Sequence, residues 1–481
     1  MALAGMIVLG LLLLNKVPKH YATVASPIPP PARSPAFPGN LDGFDSPYIG
    51  HTGSWDGKGG RMFGASKIPD LEVERSMSLR WTFMPVNWRA MEPEGPVTLT
   101  SGIPAAWKEL DGFVIAAKER GLNILMQAPV VGGNATGPPD WAGRREPGKS
   151  APANMDAAAD FAAKLAARYW PGGTLPAQQG WSTNYGIRAW ELDNEPEGYR
   201  TCWKDQAGDY AEFVTKVAAR IKQIDPQALI LTPGISGGGN SGSWVEAALD
   251  ASRLSGSPTL RQQGLPFSIG KSTDVVSFHS YEGLDTAFSK DDRTVERAFS
   301  EIRAAFEKWE RQAPEFAYPR KQDYWHTEGN YDFLGVMSAE RRAAWRIQFF
   351  TRGFAAGIRT LAVMDASPRE QIAVAAYIRA LPNPFPMLPA NQEVSVLHGQ
   401  VAAFRHPEGP EPEAGQVWIV WALANTGAAT IEVPIRQPQA EAISVDGKKT
   451  ILQPANGRVR LELKGDAKMA PPLLLVDRSA P

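Results

Sequence analysis

The strongest constraint on the fold of this chain is an alternation. Between about residue 60 and residue 390, short apolar runs are separated by longer stretches whose apolar residues recur at helical spacing. The runs are Arg61–Gly64, Leu79–Phe83, Asn123–Gln127, Ile187–Leu192, Leu229–Thr232, Val275–Phe278, Asp323–Trp325 and Thr360–Met364. Between them lie amphipathic segments such as Ala105–Arg120, Met155–Tyr169, Asp209–Ile224, Thr294–Arg311 and Ala339–Gly357. A strand that is apolar on both faces belongs to a parallel sheet covered by helices. Eight such strands, each followed by a helix or a long loop, predict an α/β fold: a (β/α)8 TIM barrel. An open doubly wound sheet is the alternative, but no G-x-G-x-x-G follows the first run.

The texture changes near residue 390. Short β-rich runs such as QVWIVWALANTG, TIEVPIR and GRVRLELK follow one another, separated by Gly, Asp or Pro, and Asp446–Gly447 is a tight-turn signal. Residues 391–481 therefore predict a C-terminal β-sandwich, with the barrel over 41–390. At the other end, Met1–Leu14 carries no charge. It is short for a membrane span, which needs about 20 residues, and has the length of a signal-peptide core. Lys16 and Lys19 follow this run and no basic residue precedes it, so residues 1–25 read as a cleaved signal or, through residues 2–14, as a membrane anchor. The Pro-rich stretch 26–40 reads as an extended linker. A secreted or periplasmic location is the expectation, with a membrane tether as a variant of it.

Charge and cysteine usage exclude whole function classes. Fifty basic and 51 acidic residues leave a net charge of −1, so there is no field to attract nucleic acid. A single cysteine, Cys202, excludes an intrachain disulfide framework and any Cys-based metal centre.

Two motifs carry chemistry. Trp190-Glu191-Leu192-Asp193-Asn194-Glu195-Pro196 ends the fourth run, and Trp325-His326-Thr327-Glu328-Gly329-Asn330 ends the seventh. Barrel active sites lie at the carboxyl ends of the strands, so both motifs bring a carboxylate to one cleft. Two carboxyl groups about 5–5.5 Å apart are what retaining glycoside hydrolysis requires, one as nucleophile and one as acid/base. Carboxylates that close do not both ionise cheaply, so one is expected to keep its proton near neutral pH.

Asn-Glu-Pro ending strand four with a second Glu ending strand seven resembles the clan A retaining glycoside hydrolases. The barrel-plus-sandwich layout is most similar to family 39, which includes β-xylosidases, α-L-iduronidases and exopolysaccharide-trimming enzymes, with family 5 next. The resemblance implies that Glu195 is the acid/base, that Glu328 is the nucleophile and that Asn194 binds a sugar 2-hydroxyl. It implies substrate or nucleophile contacts for His279 and Tyr281, which share one face of the sixth strand. It also asks for an Arg on strand two, where Arg80 is the candidate, and for a Trp ending strand eight, where Met364 and Asp365 stand instead.

Further substrate contacts are expected from Trp88, Tyr199, Trp203 and Trp325, because a flat apolar ring with one polar handle suits a sugar face. Trp181 and Trp244 are weaker candidates. Tyr199 and Trp203 flank Cys202 in the loop after Glu195, and this places them towards the cleft; Cys202 itself reads as a bystander. His279, His326 and Glu328 are the one set that could converge on a metal, and the chain has only six His, so no metal and no cofactor is expected. The Gly-rich stretch Gly234–Gly242 lacks the Lys of a phosphate loop. The expected partner is a carbohydrate. A barrel that binds polysaccharide without cleaving it is the alternative.

Overall fold

The computed structural model describes residues 46–51, 53–54, 68–100, 102–131, 137–147, 151–181, 185–196, 203, 207–236, 269–282, 294–312, 323–331, 338–409, 415–423, 427–465 and 470–479. The expected signal or anchor, the Pro-rich linker and the run Arg61–Gly64 lie outside the described residues. None of the described helices is long and apolar enough to cross a membrane.

Eight parallel strands close into a barrel: β1 (Tyr48–His51), β2 (Trp81–Asn87), β3 (Asn123–Val130), β4 (Ala189–Glu191), β5 (Leu229–Leu231), β6 (Val275–Glu282), β7 (Asp323–Tyr331) and β8 (Thr360–Met364). They run in sequence order around the ring, β1 pairing with both β2 and β8. Pairing of β6 with β7 completes the circle. The first strand is thus Tyr48–His51, upstream of the run chosen from sequence. Its four residues include a glycine, and a run this short is hidden from pattern reading.

Alternation along each strand sorts side chains between two cores. Ile49, Trp81, Phe83, Leu125, Ala189, Leu229, Leu231, Val275 and Trp325 point inward and fill the lower barrel. Their neighbours Met84, Met126, Trp190, Ile230, Val276 and Phe278 point outward beneath the helices. Those helices include α1 (Ala105–Glu119), α2 (Met155–Tyr169), α3 (Ala207–Ile224), α4 (Val295–Gln312), α5 (Ala339–Ala356) and α6 (Pro368–Ala380). Helix α5 starts where the Ser338 side chain accepts from the Arg341 amide and stops at Gly357, whose φ of 102° favours glycine.

The C-terminal strands are antiparallel: β9 (Leu388–Pro389), β10 (Ser395–His398), β11 (Val401–His406), β12 (Val417–Ala422), β13 (Ala429–Pro434), β14 (Gln439–Ser444), β15 (Lys449–Leu452), β16 (Arg458–Leu463) and β17 (Leu473–Arg478). One sheet has the order β9-β11-β12-β17-β14-β15 and the other β10-β13-β16. Trp418, Val420, Ala440 and Leu475 of the larger sheet face Ile431, Val433, Val459 and Leu461 of the smaller one, forming the sandwich core. The opposite face presents Val417, Ile419, Trp421, Ile443, Leu474 and Val476 to the barrel's own outer core. Strand β12 is buried along its whole length because it is covered on both faces, which accounts for its unbroken apolar sequence. A cavity of about 620 Å³ lies between α6 and this sheet. None of its walls belongs to the two carboxylate motifs.

Candidate active site

Strand β4 ends at Glu191, and the chain then makes a left-handed excursion, with φ of 71° at Asp193 and 38° at Glu195. Aspartate tolerates that region; for glutamate it costs about 1–2 kcal/mol, which the surroundings must offset. They do so with specific contacts. The Asp193 carboxylate accepts from the Val131 amide at 3.2 Å, the Asn194 amide at 2.9 Å and Trp203 Nε1 at 2.7 Å. The Glu195 amide donates to the Gly234 carbonyl at 3.1 Å. The turn therefore aims Glu195 across the barrel mouth from a pinned backbone.

On the far side, pairing of β6 with β7 slips by one residue: His326 pairs with Phe278 and Glu328 with His279, leaving Thr327 as the extra residue. Such a bulge re-aims side chains locally. Thr327 reaches Glu191 in the interior and Glu328 reaches Tyr281 at the mouth. Without the bulge, strict alternation would turn one of the two away from the barrel axis.

Glu195, His279 and Glu328 converge, with one polar atom of each within 4.8 Å of the others. His279 Nδ1 lies 2.9 Å from Glu195 Oε1, and the Tyr281 hydroxyl donates to Glu328 Oε1. Burial pushes the Tyr281 hydroxyl far up, and Glu328 beside it adds to the shift, so the phenol stays a donor. Burial alone pulls His279 down, but Glu328, Glu195 and Glu191 together outweigh it and raise the imidazole to about 9. The carboxylates therefore keep a cation between them. The fit of His279 is tight, because a Cβ at residue 234 would overlap its Nε2.

The remaining candidates divide. Asn194 sits in the mouth with its Oδ1 held by Gln127 Nε2 at 3.0 Å. Arg80 does not join the site: it precedes β2, is exposed, and its carbonyl caps the start of β3 at the amino-terminal end of the barrel. Trp88 is fully buried, stacked on Phe161 with its Nε1 on Glu92. Trp203 is fully buried against Tyr210 and Phe213, with its Nε1 on Asp193, so it braces the turn at Asp193 and does not face the cleft. Trp325 lies edge-on to Trp81 in the lower barrel. For all three, removing a large ring from water outweighed presenting it to ligand. Trp181 packs edge-on to Tyr185 in the segment that enters β4, away from the carboxyl ends. Tyr199, Cys202, Trp244 and residues 237–242 of the Gly-rich stretch lie outside the described residues. At the end of β8, Met364 Sδ lies 3.8 Å from the Tyr281 hydroxyl.

His326 points outward, between Phe278 and Phe349, with its Nε2 beside the Ser280 amide and hydroxyl. Burial lowers its titration to about 3. Because its ring points away from the mouth, it does not join His279 and Glu328 as the third member of a metal set. The cluster of Glu195, His279 and Glu328 has the dimensions of a cation site, yet its imidazole already holds a proton, which a metal would have to displace.

Sequence reasoning missed the layer beneath. Glu191 is fully buried, accepting from Gln127 Nε2 at 2.9 Å and from Thr327 Oγ1 at 2.7 Å. Burial dominates and leaves its carboxyl raised, with His279, Thr327, Ser277 and Gln127 offsetting part of the shift. A Glu inside an otherwise apolar strand was the available signal, since acidic residues are seldom fully buried without partners.

A sequence model of the cellulase family, glycosyl hydrolase family 5, matches residues 176–317. That stretch holds Asn194, Glu195, His279 and Tyr281 and stops short of Glu328. No curated protein matches the chain. Among solved structures, a family 39 glycoside hydrolase from the gut symbiont Bacteroides cellulosilyticus WH2 is similar in fold, at 15% identity and TM-score 0.56, over 90% of this chain and 81% of that one. CelM2, a bifunctional glucanase-xylanase from a metagenome library, matches at 14% identity and TM-score 0.55, over 85% of this chain and 94% of that one. AbfB, a family 51 α-L-arabinofuranosidase from Bifidobacterium longum, matches at 10% identity and TM-score 0.55, over 90% and 95%. The family 5 match lies across β4, β5 and β6 of the closed parallel barrel, so the segment that carries Asn194 and Glu195 is that of a glycosidase.

Proposed function

We propose that this protein cleaves O-glycosidic bonds of a poly- or oligosaccharide with retention of configuration, Glu328 acting as nucleophile and Glu195 as acid/base. The observation that carries this reading is the convergence of Glu195 and Glu328 around one imidazole, with one oxygen of each carboxylate within 4.8 Å of the other. Inverting enzymes hold their carboxyl groups about 6.5–9.5 Å apart to admit a water, and the close approach seen here suits direct attack.

In the first step a Glu328 oxygen bonds to the anomeric carbon as the glycosidic C–O bond breaks, and the proton of Glu195 passes to the departing oxygen. In the second, Glu195 takes a proton from water, whose oxygen bonds to the anomeric carbon and releases Glu328. Tyr281 steadies the attacking carboxylate by donating to Oε1. His279 occupies Glu195 Oε1, which leaves Oε2 to carry the transferred proton. Because Gln127 holds Asn194 by its oxygen, the amide NH2 of Asn194 is turned to donate to a sugar hydroxyl.

Mechanism-based labelling tests this assignment. An activated 2-deoxy-2-fluoro glycoside panel should inactivate the enzyme and leave its sugar on the peptide carrying Glu328. NMR of the first-formed product should show retained anomeric configuration. A label on another carboxylate, or an inverted product, would overturn the assignment. The uncharged run Met1–Leu14 and the Pro-rich stretch after it support an exported enzyme.

A further inference from the structure

The catalytic layer rests on a third carboxylate that the two-glutamate scheme does not use. Glu191 is on β4, Gln127 on β3 and Thr327 on β7, so one buried group gathers three strands. Gln127 uses both amide hydrogens, one on Glu191 Oε2 at 2.9 Å and one on Asn194 Oδ1 at 3.0 Å, next to Glu195. Thr327 donates to Glu191 Oε1 at 2.7 Å and is bonded in sequence to Glu328. A continuous path of hydrogen bonds thus runs from Asn194 through Gln127, Glu191 and Thr327 to the nucleophile strand. Glu191, Gln127 and Thr327 are all nearly or fully buried, so water does not compete for these bonds.

We propose that Glu191 is a positioning residue, holding Asn194 and Thr327 from below and so setting the separation of Glu195 and Glu328. This rests on the reading of those two glutamates as the catalytic pair. Donors reach Glu191 on both oxygens, which suits an ionised carboxylate better than a protonated one. The bulge at Thr327 has a reason in this scheme, because it sends one side chain down to Glu191 and the next up to the mouth. Glu191 also acts on His279 through space. The charged and titratable groups facing that imidazole are Glu195 in the turn after β4, Glu191 within β4, and Glu328 and His326 on β7.

The test is E191Q, which keeps the shape and removes the charge, read in two independent ways. Kinetics should show kcat reduced about 10- to 100-fold with KM little changed, the pattern of a displaced catalytic pair. NMR titration of ring-labelled histidine should show His279 titrating below its wild-type value of about 9. The histidine readout needs no substrate, so it still decides the proposal if fluoro-sugar labelling of the wild type rejects the assignment of Glu328. Wild-type kcat with an unmoved His279 would overturn it. If E191Q does not fold, T327V carries the test by removing one hydroxyl and leaving the carboxylate in place. An unchanged kcat in T327V, against the same expected loss, would refute the brace.

Discussion

His279 and His326 stand on adjacent, paired strands, yet their surroundings drive them in opposite directions. Both are fully buried. His279 faces three carboxylates and rises from 6.5 to about 9; His326 faces aromatic rings and the cation of His279, and falls to about 3. The consequences for stability follow from proton counting. The folded state binds the His279 proton more tightly than the unfolded chain, so its contribution is complete below pH 6.5 and is lost as pH rises through about 9. For His326 the unfolded chain binds the proton more tightly, so its contribution is complete above pH 6.5 and is lost as pH falls towards about 3. The two together predict an unfolding free energy that peaks near pH 6.5, measured by urea denaturation between pH 4 and pH 10. H279Q should flatten the alkaline limb, and an alkaline limb unchanged in H279Q would refute the assignment. Both histidines were visible in the sequence, His326 inside the second carboxylate motif and His279 as a candidate on the sixth strand. Their opposite charge states were not, because titration depends on neighbours brought in from β4 and α5.

Strand ends and turns determine what these side chains meet. The strand interiors were legible because parallel strands under helices must be apolar on both faces, and Thr360–Met364 was found with its observed limits. Register was not legible. Arg80 fell in an apolar run but lies before Trp81, where β2 begins, and thus at the wrong end of the barrel. Thr327 became an inward residue only through the slip between β6 and β7, which depends on pairing and leaves no mark in a local pattern. The junction after β5 is equally exacting. Gly234 pairs with Asn194, accepts from the Glu195 amide and leaves room for the His279 ring. A methyl group there must move either the backbone or the imidazole. G234A is therefore expected to fold but to lose about 100-fold in kcat, with a chemical-shift change at His279. Wild-type activity in G234A would show that the close approach is not needed.

Barrel and sandwich share one continuous apolar core, with Ile419, Trp421 and Val476 of the larger sheet joining the outer layer of the barrel. Polar ties reinforce it: Gln348 Nε2 on α5 donates to the Ala470 carbonyl at 2.6 Å, and His406 Nε2 lies 2.9 Å from the Phe385 carbonyl. A surface this apolar does not tolerate separation, so calorimetry should show a single unfolding transition for the whole chain. I419A, which empties part of the shared layer, should lower stability by about 2–5 kcal/mol while leaving kcat/KM unchanged well below the melting temperature. Two resolved transitions would mean that the units unfold independently. The tryptophans make the related point at this scale. Composition offered 15 of them for cores or sugars. Trp88, Trp203 and Trp325 went to cores, because burying a large ring requires only neighbours, whereas a sugar platform requires a particular exposure. What the amino-acid sequence determined by itself was periodic or contiguous: the alternation that makes a barrel, the two-faced apolar strand β12, and a glutamate at the carboxyl end of each of strands four and seven. Only the tertiary structure decided how far apart those glutamates stand, which histidine is charged, and that Glu191 lies beneath them. Those are through-space quantities between side chains carried on different strands, and they come into being when the barrel closes.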